Sequence, residues 1–387
     1  MKLKVLYFSV TSIGIEHNGG TICCRNHIKR LSCDPGIDLS VVIASNQDQE
    51  ASLAYLESLN VQGSFHPLHP LPPSQQKSAL QQMFQLPWRE YIHNQEHIDH
   101  VVSDAMASHK ADILLIDYFY SAMFCPKAIK AAPKTILVNL NREAEFYKDL
   151  LRSAVRNPFK RAIRSLALVH LWWLHQRTFR AMDKIIALSP PDVVRGGDTY
   201  ITPYLDTKEQ LWKPNASRTV FFVGNVNHFP NKMAIEYIVT KLAPAVVALV
   251  PDVRFKIIGA NAGDLPYQHD SVDFLGTSDD QEVEKQFLNC QLFICPVKNT
   301  FGLKFKLAQA LAYGTPFLAC PESLQCLPHL KGLPTISLQS PGEAAQAVAA
   351  AIKDKESTLE LATNIQERQR QFIDTQKGIW SRALSSL

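Results

Sequence analysis

Phe301-Gly-Leu-Lys-Phe-Lys-Leu-Ala-Gln-Ala-Leu-Ala-Tyr-Gly-Thr-Pro-Phe317 is the stretch whose reading decides the fold. Just before it, Leu292-Phe-Ile-Cys-Pro296 is a short apolar run closed by proline, the pattern of a strand buried on both faces of a parallel sheet. Apolar residues at 303, 307, 308, 310, 311 and 312 predict a helix over Leu303 to Tyr313. Gly314 stands where a left-handed C-cap belongs, and Pro316 blocks continuation. Phe317 to Cys320 reads as the next strand. Lys304, Lys306 and Gln309 fall near the helix start. Free N–H groups and the positive dipole end there suit a phosphate. The two lysines add charge, and Gln309 is placed to hydrogen-bond a sugar hydroxyl.

Working outward, Thr219 to Gly224 is a strand ending in glycine. A loop from Asn225 to Asn231 follows, then a helix to about Leu249. Gly224 lets the backbone approach a pyrophosphate closely. No Gly-x-Gly-x-x-Gly is present, which disfavours a dinucleotide cofactor site. Pro251 to Gly259 and Val272 to Gly276 supply further strands, and Gln281 to Asn289 a helix. Helices are predicted over Pro341 to Lys355 and Thr358 to Gln371.

The first half has the same alternation. Val5 to Val10 is a strand, and the loop after it carries Gly14, Gly19 and Gly20 ahead of a helix over Ile22 to Leu31. That is where a doubly wound domain brings its first loop to a ligand. Leu39 to Ala44, Asp112 to Asp117, Thr135 to Leu140 and Lys184 to Ser189 read as strands. Phe65 to Pro73 reads as an irregular loop. Tyr91 to His109 reads as a helix with His93, His97 and His100 at metal-compatible spacing, although no His-Glu-x-x-His pattern accompanies them. His66 and His69 read as solvated loop residues. Asp117, at a strand end, is a candidate general base or hydroxyl ligand, with a loop or capping acid as the alternative. Glu143, in Asn141-Arg-Glu143, is a second candidate acid, with helix capping as its alternative.

A chain of 387 residues predicts two domains. A net charge of +4 is too small to argue for a nucleic-acid partner. The positive charge is concentrated in residues 148–184, which hold nine basic and two acidic residues around Trp172 and Trp173. Basic residues with interfacial aromatics suit an anionic membrane surface; a solvated helix pair with core tryptophans is the alternative. Eight cysteines without a Cys-x-x-Cys predict reduced core thiols rather than zinc or disulfides. The longest apolar run, Leu166 to Leu174, is too short for a membrane span.

The stretch that opens this subsection resembles the donor-binding signature of GT-B glycosyltransferases of the family-4-like group, matched by Gly302, Lys304, Lys306, Gln309, Ala310, Gly314 and Pro316. Gln309 departs from it, standing where the family has a ribose-binding Glu; Gln keeps one acceptor oxygen and adds a donor. Val272-Asp-Phe-Leu-Gly276 and the Gly224–Asn231 loop resemble the family's second domain. Gly19-Gly20, Asn141-Arg-Glu143 and Ser189-Pro-Pro-Asp192 resemble elements of its first. Leu115 and Asp117 stand where family members show histidines, so the usual family histidine is missing.

The resemblance implies an α/β GT-B fold of two Rossmann-like domains facing across a cleft, with a C-terminal helix crossing back to the first. The implied division is 1–200 for an acceptor domain, 201–369 for a nucleotide-sugar domain and 370–387 for the returning helix. It implies a glycosyltransferase moving a sugar from a nucleotide-diphosphate sugar to a glycan or lipid-linked acceptor, without a metal or other cofactor, in cell-surface polysaccharide or glycoconjugate synthesis. Gly19, Gly20, Gly224, Asn225, Phe301, Gly302, Lys304, Lys306 and Gln309 are then the donor-binding set, and Asp117 and Glu143 the candidate catalytic acids. Family habit favours retention, whereas an acid acting as base suits inversion. A catalytically degenerate GT-B scaffold subunit, favoured by Gln309, and a sugar-nucleotide 2-epimerase are the alternatives. The implied location is cytoplasmic, with peripheral contact at the membrane face through 148–184.

Overall fold

The structure is a computed structural model. It describes residues 2–15, 19–69, 89–140, 158–298 and 302–386, without the side chains of 89–93, 158–164, 166, 167, 170 and 171. The chain divides into two compact units, Met1–Pro203 with Lys377–Leu387, and Tyr204–Gln376.

The first unit is built on a seven-stranded parallel sheet. Its strands are β1 (Leu3–Ser9), β2 (Ile37–Ser45), β3 (Gln62–Pro67), β4 (Ile113–Asp117), β5 (Thr135–Asn139), β6 (Lys184–Ala187) and β7 (Thr199–Tyr200), in the order β3-β2-β1-β4-β5-β6-β7. Val5 to Ser9, Ile113 to Asp117 and Thr135 to Asn139 are buried at every position, because helices cover both faces. That is why these strands read as continuous apolar runs and not as alternations.

The second unit holds a five-stranded parallel sheet of β8 (Thr219–Val223), β9 (Arg254–Ile258), β10 (Val272–Gly276), β11 (Leu292–Cys295) and β12 (Phe317–Ala319), ordered β10-β9-β8-β11-β12. Phe221, Phe287 and Phe293 pack against one another at its centre, with ring centroids 5.1 to 5.8 Å apart. The helix Phe305–Tyr313 ends as the sequence predicts, on Gly314 in the left-handed region at φ 67°. The two parallel sheets are the two Rossmann-like α/β units expected.

Two expectations need correction. Phe65 to Pro67 is not loop but the end of β3, paired in register with Ile43 to Ser45. Gln62-Gly-Ser-Phe-His-Pro carries no apolar run, so its strand character comes from an edge position beside β2. A Cβ at Gly63 would lie 2.3 Å from Leu56 Cδ1, so the bare glycine lets the preceding helix close on the strand. The helix predicted from Asn231 to Leu249 is instead Phe229–Tyr237, a π turn over Ile238–Leu242, and Ala243–Val247. Pro244 has no N–H to give the ladder, and the widened turn absorbs the break.

Lys377–Leu387 belongs to the first unit. Ser381 N donates to Asp34 Oδ2 at 3.0 Å, and Lys184 Nζ donates to Ala383 O at 3.0 Å and Ser386 Oγ at 2.6 Å. Lys184 is therefore buried against the C-terminal segment and does not join the basic face expected over 148–184. All eight cysteines are free thiols, seven of them buried.

Candidate functional site

In the second sheet the chain runs outward from β8 through β9 to β10, and outward the other way from β11 to β12. The order reverses between β8 and β11, and α/β sheets take ligands beyond the carboxyl ends of strands at such a point. Gly224 follows β8 there, and Gly302 and Lys304 follow β11.

The Lys306 ammonium lies at the centre of this place. Its Nζ donates to Asn231 Oδ1 at 2.6 Å and sits 4.4 Å from the centroid of the Phe222 ring. A Cβ at Gly224 would stand 2.8 Å from that Nζ and 2.8 Å from Asn231 Cγ, so glycine alone leaves room beside the ammonium. Among the described residues no carboxylate forms an ion pair with Lys306. Burial pushes its pKa down to about 8; Cys295 opposes that shift, and the Lys304 charge adds to it. Lys304 is buried at the N-cap of Phe305–Tyr313, and its Nζ donates to Gly302 O at 2.9 Å. Gly302 has φ 67°, a conformation that suits glycine.

His228 stands at the N-cap position of the helix Phe229–Tyr237, on the β8 side. Desolvation of its ring, then the charges of Lys306 and Lys304, hold its imidazole below the usual range. Three basic groups thus converge on the carboxyl ends of β8 and β11.

The donor set predicted from sequence is partly assembled here. Gly224, Gly302, Lys304 and Lys306 come together. Asn225 is on the same loop, but its Oδ1 accepts from Asn227 N at 2.8 Å, so the side chain closes its own turn. Gln309 is half-buried, one turn along the helix from Lys306. Phe301 lies outside the described residues. Gly19 and Gly20 open the helix Gly19–Ser32 of the first unit, in its first turn rather than in the loop before it.

Asp117 has no access to solvent. Its Oδ2 accepts from Tyr7 OH and meets His27 Nδ1 at 2.7 Å, and its backbone oxygen accepts from Ser121 Oγ at 2.6 Å. The His27 ring packs edge-on against Trp380 at 5.4 Å, and its Nε2 lies 3.4 Å from Cys23 Sγ. The carboxylate is thus enclosed by β1 and the first helix. Glu143 lies outside the described residues.

Asn231, His228 and His27 were not singled out from the sequence. Asn231 and His228 were legible as a loop ending at a helix start, the usual place for polar caps. His27 and Cys23 share a helix face at a spacing of four, but nothing local pairs either with Asp117. His66 and His69 stand near His97, with ring centroids 6.3 and 6.4 Å from it. Among the described residues no group of three or more His, Cys, Asp or Glu stands close enough to hold a metal ion.

Residues 217–354 match the family described as glycosyl transferases group 1. No curated protein matches the sequence. Among solved structures, HepE of Anabaena in complex with UDP and glucose is similar over 100% of both chains, at 15% identity and a TM-score of 0.64. Sucrose-phosphate synthase from Thermosynechococcus elongatus is similar over 100% of this chain and 97% of its own, at 14% identity and a TM-score of 0.63. The O-GlcNAc transferase of Thermobaculum terrenum is similar at 13% identity and a TM-score of 0.60; this chain covers 66% of it. At these identities the likeness is one of fold. Residues 217–354 thus resemble a glycosyl transferases group 1 domain, and the chain has the GT-B fold of two Rossmann-like α/β units.

Proposed function

We propose that this protein is a glycosyltransferase that takes a nucleotide-diphosphate sugar at the β8–β11 site and passes the sugar to a glycan or lipid-linked acceptor held by the first unit. The observation that carries this reading is the Lys306 ammonium, held beside Gly224 with an amide and, among the described residues, no carboxylate for a partner. A largely desolvated cation without an anion is costly, and a diphosphate supplies the missing charge. In glycosyl transfer the leaving diphosphate gains charge as the glycosidic bond breaks. Preorganised cations stabilise that charge without reorganisation. Lys304, Lys306 and the start of Phe305–Tyr313 provide that stabilisation without a metal. The fold shared with a UDP- and glucose-bound structure supports a uridine donor as the first to test.

Enclosure of Asp117 supports a role in ordering the first unit, which leaves Glu143 as the acid to test as a base. Family habit still favours retention of configuration. On the helix Pro158–Ala181, Val169, Trp172 and Trp173 are 64%, 53% and 49% exposed, with the Arg177 guanidinium 5.6 Å from the Trp173 ring. These support peripheral contact with an anionic membrane, fitting a lipid-linked acceptor in cell-surface polysaccharide synthesis. Among the described residues no helix is long and apolar enough to cross a membrane.

Titration calorimetry with UDP, GDP, ADP, TDP and CMP, on the wild-type chain and Lys306→Ala, tests the reading. Selective binding that Lys306→Ala abolishes is expected; a wild-type chain that binds none of them overturns it. One observation favours the degenerate-scaffold reading, Gln309 in place of an acid. Binding without hydrolysis or transfer of any donor sugar would support that second reading.

A further inference from the structure

Asn231 joins two parts of the site that lie far apart in sequence. Its amide oxygen accepts from Lys306 Nζ at 2.6 Å, across 75 positions. Its amide nitrogen donates to Asn225 O at 3.0 Å, which ties the turn after β8 to the same side chain. Its Cγ stands within 2.8 Å of where a Gly224 side chain would begin. One buried side chain therefore fixes both the ammonium and the turn that carries Gly224. The chemistry of this partner matters as much as its place. An amide satisfies one ammonium N–H and leaves the positive charge uncompensated. A carboxylate there would satisfy the same N–H and cancel the charge. Among the described residues, the titratable groups that act on the ammonium or feel its charge are Lys304 at the helix start, Cys295 on β11 and His228 on the opposite loop, none of them an acid that ionises near neutrality.

We infer that Asn231 is a positioning residue that holds the Lys306 ammonium beside Gly224 and, being a neutral amide, keeps its charge available to a diphosphate. The inference rests on the donor-site reading above and names the residue that tunes that site. A buried lysine paired with an acid is a finished ion pair. A largely desolvated lysine paired with an amide still lacks an anion.

The test compares full-length wild type, Asn231→Asp, Asn231→Ala and Lys306→Ala. Inorganic pyrophosphate and UDP are the probes in calorimetric titrations across pH. In parallel, the Lys306 ammonium is titrated by NMR in the free protein with carbon-labelled lysine. Asn231→Asp is nearly isosteric; it gives up the donor to Asn225 O and gains an ion pair with Lys306, so its melting temperature is expected to stay within a few degrees of wild type. It is expected to bind both probes about tenfold more weakly near neutral pH, with the loss shrinking as the new carboxyl protonates, while the Lys306 titration moves upward. Asn231→Ala is expected to lose less, because the ammonium is released but not neutralised. A purely structural role predicts the reverse order. Asn231→Asp binding like wild type at every pH, while Lys306→Ala loses both probes, overturns the inference and leaves the donor site standing. Wild type binding neither probe overturns the donor-site reading. The Lys306 titration in free Asn231→Asp then still decides whether this position governs the ammonium, an unmoved titration overturning the inference on its own.

Discussion

The His27 imidazole meets the Asp117 carboxylate at 2.7 Å, with both side chains shut off from solvent. Tyr7 donates to the same oxygen, and its phenol is pushed well up by burial and by the Asp117 charge. The carboxylate thereby ties the first helix to the two central strands. Asp117→Ala leaves a phenol and an imidazole buried without their acceptor, at about 3–5 kcal/mol. The melting temperature of the first unit is expected to fall by on the order of 10 °C. Asp117→Asn retains one acceptor and is expected to fall between. Circular-dichroism melts check this; a wild-type midpoint in the alanine variant would remove the network from the account of stability.

Lys306 costs stability in order to bind. Its pKa is about 8 in the folded chain against an ordinary 10.5. Between those values the unfolded chain holds more protons than the folded one, so stability attributable to this group rises with pH across that window, and the penalty is complete below it. The full penalty is on the order of 3 kcal/mol. Lys306→Met is therefore expected to be more stable than wild type at neutral pH, with the difference closing as pH climbs past about 10. The same variant is expected to bind no nucleoside diphosphate. Urea unfolding across pH measures the difference; one that stays constant would show that the ammonium is not its source.

Gly224→Ala places a methyl 2.8 Å from both Lys306 Nζ and Asn231 Cγ. The lysine end can swing away, but the Asn231 amide is held at both ends. A loss of about 1–3 kcal/mol in stability is expected. UDP affinity is expected to fall about tenfold or more, since the ammonium must leave its place. Calorimetry that finds wild-type affinity would put the diphosphate elsewhere.

Gln309→Glu restores the acid of the signature that this helix resembles. A second acceptor lone-pair set for the ribose hydroxyls is expected to raise UDP affinity several-fold and leave inorganic pyrophosphate unchanged. Equal gains for both probes, or none, would place the ribose away from Gln309.

Trp172 and Trp173 are half-exposed on the helix Pro158–Ala181. Trp172→Ala with Trp173→Ala is expected to leave the melting temperature within a few degrees, because little burial is lost. Binding to phosphatidylserine vesicles in a sedimentation assay is expected to drop about tenfold, and wild-type binding to weaken with salt. Wild-type sedimentation by the double variant would locate the membrane contact on another face.

Much of the second unit was legible because its signals are local. Phe301 to Phe317 encloses a strand end, a helix with its C-cap and two lysines within one short stretch, and each of these is decided by neighbours in sequence. Strand β3 was not legible, because Gln62 to Pro67 is a strand only through pairing with β2. The break at Ile238–Leu242 was partly legible in Pro244, but how the helix would absorb the missing N–H depends on what packs against it.

The sequence alone determined the alternation of apolar strands and helices and which residues near the strand ends are basic. Periodicity and capping are properties of consecutive residues, so they survive without a folded partner. Tertiary structure decided which charges are left without a counterion. Lys306 looks like any helical lysine until β8 brings Gly224, Phe222 and Asn231 around it. Asp117 looks like a free acid at a strand end until Tyr7 and His27 close over it. Burial and partnership depend on residues 75 and 90 positions away, and those distances are set by sheet order, which no local pattern carries.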